Sequence, residues 1–254
     1  MSTTRTHRGT VPAPPGTPAR PAVVRLALQL RDVAADLPWF AVAPLLRHWH
    51  RTWGATPAEV TADMPGDDLL PHAQYRSTRA ITVSAGPHEV WPWLVQVGCG
   101  RAGWYANDLL DNFGRPSSRV IIPELQHIEV GQWLPMTLRP SRRRSFLVDG
   151  FAAPRWLVLR TPIRTWSWRL VALPDGRTRL ISRLRTVYDW RRPGTLLTVL
   201  LMELADFSMM RRMLHGIRDR AERTTTQPPR PASPDVYPQR GDRPSLGRGG
   251  EDSP

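Results

Sequence analysis

Arg101, Trp104 and Tyr105 crowd into one glycine-flanked stretch, Gly100-Arg101-Ala102-Gly103-Trp104-Tyr105. A guanidinium beside a phenol can orient an anionic or carbonyl-bearing ligand. The competing role is to tie the irregular segment 115–131 down by hydrogen bonds, with Trp104 as packing. Glu124, Gln126 and His127 form a second polar cluster. An imidazole titrates near neutral pH, so this cluster could serve as a general acid–base pair for aldol-type cyclisation or dehydration. Satisfying loop backbone and nearby arginines is the commoner use of such a cluster. Glu203 and Asp206 flank an apolar stripe on a helical stretch, as a cavity carboxylate or as half of a salt bridge to a strand arginine. Met202 and Met210 border the same stripe, either as an adaptable pocket wall or as plain core. His48 and His50 are two apart on a helix, point about 200° away from each other and cannot share a metal. No other histidine or cysteine set has ligand spacing, so neither a metal nor a cofactor is expected.

The elements that must position these residues are legible from periodicity. Thr56-Pro57-Ala58-Glu59 reads as a capping box opening a short helix. Helices are also expected over 22–37 and 39–53. Tyr75 to Ser84 alternates as a first strand, and Gly86-Pro87 opens a helix that stops at Gly98-Cys99-Gly100. A short helix is expected over 105–112. Strands follow at 132–138, 145–151, 156–161, 165–173 and 178–189. Pro174-Asp175-Gly176 between the last two fits a three-residue hairpin with Gly176 in the left-handed position. That register pairs Leu170 with Leu180, Trp168 with Ser182 and Trp166 with Leu184. It sorts Trp166, Trp168, Ser182, Thr186 and Tyr188 onto one face, and Arg169, Arg179, Arg183 and Arg185 onto the other. Hydroxyls beside tryptophans suit a partly polar cavity better than a dry core. Residues 195–223 read as one long amphipathic helix, since seven of the nine residues Leu196–Leu204 are large and apolar. Its apolar face must lie on something, and the curved sheet is the only partner large enough.

This order of elements resembles the helix-grip fold of the SRPBCC superfamily, which includes START, polyketide-cyclase and lipid-transfer proteins. Val90-Trp91-Pro92-Trp93-Leu94-Val95-Gln96, followed by Gly100-Arg101-Ala102-Gly103-Trp104-Tyr105, is similar to a bacterial subgroup pattern VWPWLxQxGxGRGGxY. Ala102 departs from the pattern's glycine. Pro123-Glu124-Leu125-Gln126-His127 and Met209-Met210-Arg211-Arg212-Met213-Leu214 continue the resemblance, which covers roughly residues 51–222. It implies an α+β fold: a curved antiparallel sheet wrapped around a long C-terminal helix, with extra N-terminal helices. It also implies a hydrophobic cavity and no shared catalytic residue.

Composition bounds the rest. The 254 residues carry a formal charge of +13, and every one of the 35 basic residues is arginine. Apart from Arg142-Arg143-Arg144 that excess is spread along the chain, so no nucleic-acid partner is expected. A single cysteine, Cys99, excludes an intramolecular disulfide and fits the bacterial cytoplasm. Residues 1–21 and 224–254 lack the apolar surface that offsets the entropy of ordering and are expected to be disordered. Between them lie an N-terminal helical extension, 22–73, and a ligand-binding domain, 74–223. The expected function is binding or transport of a hydrophobic small molecule, lipid-like or polyketide-like, in an internal cavity. A polyketide cyclase or dehydratase is the alternative. A third reading has the N-terminal helices docking on a membrane or protein through Trp39, Phe40, Trp49 and Trp53. The site expected for the leading reading is Arg101, Trp104, Tyr105, Gln126, His127, Trp166, Trp168, Ser182, Tyr188, Met202, Asp206 and Met210.

Overall fold

The computed structural model describes residues 47–226, except Pro140, Arg192, Leu201, Glu203 and Leu204, and scattered positions between 23 and 34. The expectations for both tails, for Trp39 and Phe40, for most of the helix over 22–37 and for Glu203 lie outside the described residues.

The first two helices, α1 (Arg47–Thr52) and α2 (Pro57–Thr61), precede strand β1 (Tyr75–Val83). The capping box forms as expected. Thr56 N donates to Glu59 Oε2 at 2.7 Å, and Glu59 N donates to Thr56 Oγ1 at 3.2 Å. Helices α3 (Pro87–Val95) and α4 (Asp108–Asp111) then lead to β2 (Trp133–Pro135), β3 (Ser145–Ala152), β4 (Trp156–Thr161), β5 (Arg164–Ala172) and β6 (Thr178–Thr186). The chain closes with α5 (Thr195–Leu200) and α6 (Asp206–Thr226). The strands form one six-stranded antiparallel sheet in the order β1-β6-β5-β4-β3-β2. A register shift between Val148 and Gly150 bends β3 and adds twist.

The hairpin register is the expected one: Trp166 pairs with Leu184, Trp168 with Ser182 and Leu170 with Leu180. Leu173 N donates to Arg177 O at 2.8 Å, and Gly176 takes φ +79°. The apolar face of this hairpin meets α6. Met210, Met213, Leu214 and Ile217 join Trp166, Trp168, Leu180 and Leu184 in one buried cluster. The opposite face is buried too. Residues 54–71 run across it and are fastened by its arginines. Arg183 is fully buried; its Nη1 donates to Ala62 O at 2.8 Å and pairs with Asp67, and its Nη2 donates to Glu59 O at 2.8 Å. Arg185 Nη2 donates to Leu70 O at 2.8 Å, and Arg179 pairs with Glu59 at 2.7 Å.

Two expected helices need correction. The short helix over 105–112 shrinks to α4, because Tyr105 sits at φ +58° and Asn107 caps the turn through Leu109 N at 3.1 Å. The single helix over 195–223 is two α-helices, with Met202 and Ala205 in π-helical geometry between them. A π turn inserts an extra residue and re-phases the helix. The apolar run Leu196–Leu204 has no unique face, so periodicity could not reveal that step. Upstream of it Leu196 and Leu197 are exposed; downstream Asp206 faces inward and is buried.

Candidate functional site

The Trp-Pro-Trp stretch and its glycines build a rigid corner. Gln96, fully buried at the end of α3, is its hub. Its amide nitrogen donates to Tyr105 Oη at 2.8 Å, and its Oε1 accepts from Ile122 N at 3.0 Å and from Gln126 Nε2 at 3.1 Å. Gly98 and Gly103 bridge as a tiny antiparallel pair. A Cβ on Gly103 would stand 2.3 Å from Ser117 Oγ, which is why glycine is needed there. Arg101 donates to Val97 O at 3.1 Å and Val95 O at 3.0 Å. Its fork therefore closes the C-terminus of α3 rather than holding the 115–131 segment. The corner presses Trp104 onto Trp166, rings stacked with centroids 5.8 Å apart. Phe146 and Trp168 extend the aromatic cluster, each ring centroid within 5.3 Å of Trp166.

Beyond the aromatics, the inner face of the sheet turns polar. Alternation along β1 places Tyr75 and Arg79 on the same side as Ile81 and Val83. Asp206, at the start of α6, comes down onto them. Tyr75 Oη donates to Asp206 Oδ2 at 2.8 Å, and Arg79 Nη1 reaches the same oxygen at 2.6 Å. Arg79 Nε donates to His50 O at 2.7 Å. Burial works against the Arg79 charge, but Asp206 and Tyr75 outweigh it and hold the guanidinium more firmly charged. Burial, then the Asp206 charge, pushes the Tyr75 phenol well above its usual range. Asp206 is thus the partner of a strand arginine, and the pair sits inside the molecule. Neighbouring it on the inner face, Thr186 Oγ1 and Trp168 Nε1 are buried with no hydrogen-bond partner among the described residues. Trp93 Nε1 on α3 is in the same condition.

Of the expected site residues, Trp104, Tyr105, Trp166, Trp168, Tyr188 and Met210 share the buried core, with Met202 packed against it. Ser182 lies among them and accepts from Trp166 Nε1 at 2.9 Å. Gln126 is engaged with Gln96, and His127 is 82% exposed and paired to Glu129 at 2.8 Å. Glu124 is exposed too, so the second polar cluster does not converge on a point. Sequence reasoning missed Tyr75, Arg79, Arg164 and Thr186 as site residues, although strand alternation already put Arg79 on the apolar face. Trp49 and Trp53 pack on the closing helix: both ring systems contact Phe207, and Trp53 also meets His215 edge-on at 5.4 Å. Trp49 nevertheless keeps 42% of its surface exposed.

Described residues line two surface clefts outside the helix–sheet interior. One, of about 440 Å³, is lined by Tyr105, Asp108, Arg211, His215 and Arg220 among others; the second, of about 390 Å³, by His127 to Gln132. No group of His, Cys, Asp and Glu able to hold a metal occurs among the described residues. No helix among them is long and apolar enough to cross a membrane.

A curved antiparallel sheet gripping a C-terminal helix, with the helix seated on its inner tryptophans, decides the architecture. The chain has the helix-grip fold. No family model and no curated protein matches this helix-grip chain. Solved structures do. The self-sacrificing resistance protein CalC from Micromonospora echinospora is 18% identical with a TM-score of 0.40, covering 59% of this chain and 95% of its own. The Polyketide_cyc-like protein Cgl2372 from Corynebacterium glutamicum is 12% identical, TM-score 0.38, covering 59% and 93%. A START superfamily protein from Mycobacterium smegmatis is 14% identical, TM-score 0.32, covering 59% and 98%. At such values the fold rests on the traced strands and helices, and the activities in those names stay with those proteins.

Proposed function

We propose that this helix-grip protein binds a hydrophobic small molecule, lipid-like or polyketide-like, between α6 and the inner face of the sheet. Residues 74–223 form the binding unit in this reading, and 22–73 are an extension. The observation that carries it is the pair of fully buried polar atoms without partners, Trp168 Nε1 and Thr186 Oγ1, on the face that α6 covers. An unsatisfied buried donor costs about 1–3 kcal/mol, so a core kept for stability alone would have replaced or paired them. A guest with a hydrogen-bonding group satisfies them.

Catalysis is the weaker reading for a specific reason. Tyr75, Arg79 and Asp206 converge inside, but they saturate one another. The phenol proton is committed to Asp206 and the carboxylate oxygen to both partners, so no group is left poised to move a proton. Native mass spectrometry of the full-length chain purified from a bacterial host tests the reading. A retained small molecule released on activation is expected; a bare polypeptide mass across preparations contradicts it.

A further inference from the structure

The guest's polar end can be inferred from one arginine that faces no carboxylate. Tyr75, Thr186 and Arg164 form a single cross-strand row, because Thr186 pairs with Tyr75 on one side and with Arg164 on the other. Alternation along β5 puts Arg164 on the face of Trp166 and Trp168. Arg79, Arg179, Arg183 and Arg185 each face a carboxylate within ion-pair distance. Arg164 makes no ion pair or hydrogen bond with any described residue, and its Nε is buried. Burial pulls its guanidinium toward the neutral form, and only the more distant Asp206 and Tyr188 act the other way. Within this polar end, Arg79 and Asp206 cancel and Arg51 lies over the Tyr75 ring at 4.7 Å, so Arg164 is the arginine next to the unpartnered Thr186 hydroxyl. A half-buried guanidinium whose buried Nε has no partner has an anion as its natural complement.

We infer that Arg164 and Thr186 receive the head of an amphiphile bearing a single negative charge, a carboxylate or another monoanionic oxyacid, while its apolar body lies along Trp166 and Trp168. A dianionic head is disfavoured, because its second charge would meet Asp206. This inference rests on the reading that a guest enters the helix–sheet interior. A planar guanidinium presents paired N–H donors that match the two oxygens of a carboxylate, and the threonine hydroxyl adds a third donor.

The test compares dodecanoate with dodecan-1-ol, binding measured by calorimetry to the full chain and to Arg164→Gln. The wild-type chain is expected to bind the acid about 10-fold or more tighter than the alcohol, the scale of a charge-assisted hydrogen bond. Arg164→Gln erases that preference and leaves the alcohol's affinity unchanged, while Arg164→Lys retains part of it. The variant without ligand should also melt at a temperature no lower than wild type, since it loses an unpaired charge and no contact. Equal affinity for acid and alcohol, or a preference that survives in Arg164→Gln, overturns the head-group assignment while leaving the binding function standing. If neither compound binds the wild-type chain, the interior-guest reading fails and this inference with it.

Discussion

Two buried acids in this chain have opposite surroundings. Asp206 meets a guanidinium and a phenol, and removing either Arg79 or Asp206 would strand the other charge at a cost of about 3–5 kcal/mol. Asp111 meets far less: one oxygen accepts from Asn107 N at 2.9 Å, and the other is buried with no partner. Burial is the main cause that lifts its carboxyl from an ordinary 3.8 to about 7, against the pull of the Asn107 N–H. The sign follows from which state holds the proton better. The folded chain does, so its stability is full below about pH 4 and declines as pH rises toward 7. Asp111→Asn removes that decline. At pH 8 the variant should melt about 2–4 °C above wild type, roughly 1 kcal/mol in a domain of this size, and at pH 4 it should show no gain. Melting curves of the two proteins that run parallel across this range would contradict the assignment.

At the scale of elements, α6 carries a glycine in its middle for a reason that helix propensity alone would miss. Replacing Gly216 with alanine favours the helix by about 1 kcal/mol. The new Cβ would stand 2.2 Å from the backbone oxygen of Tyr105, which the Gln96 corner holds rigidly. Overpacking against fixed backbone costs about 1–3 kcal/mol, so the clash wins. Gly216→Ala should lower the urea midpoint, and a variant more stable than wild type would show that the corner yields. The same comparison separates what was legible in the sequence from what was not. Period-two alternation and one hairpin glycine fixed the register of β5 and β6, because a one-residue slip would have mixed tryptophans with arginines. The π-helical step between α5 and α6 was invisible, since a run with seven apolar residues in nine looks alike in any phase. Three of the expected site residues, Arg101, Gln126 and His127, stand apart from the aromatic cluster for a related reason. Arg101 and Gln126 have the right chemistry for a ligand, but their donors are taken by carbonyls and by Gln96, a fact of tertiary geometry alone. Arg79 and Arg164 escaped notice because an arginine on an inward position reads, one residue at a time, as an exception to the pattern.

Across the whole molecule, arginine does two jobs. On the outer face Arg179, Arg183 and Arg185 seal the segment 54–71 onto the sheet through carbonyls and the carboxylates of Glu59 and Asp67. These three arginines are therefore internal scaffolding and make no surface patch. On the inner face Arg79 anchors the closing helix through Asp206, and Arg164 remains open. The central claim is that a guest lodges against the inner tryptophans. Bromine quenches indole emission only on contact, so titration with 12-bromododecanoate reads that contact directly, although the chain has 11 tryptophans. Saturable quenching that shrinks in Trp168→Phe and is displaced by unbrominated dodecanoate is the expected result. Quenching that never saturates, or that is the same size in Trp168→Phe, would contradict it.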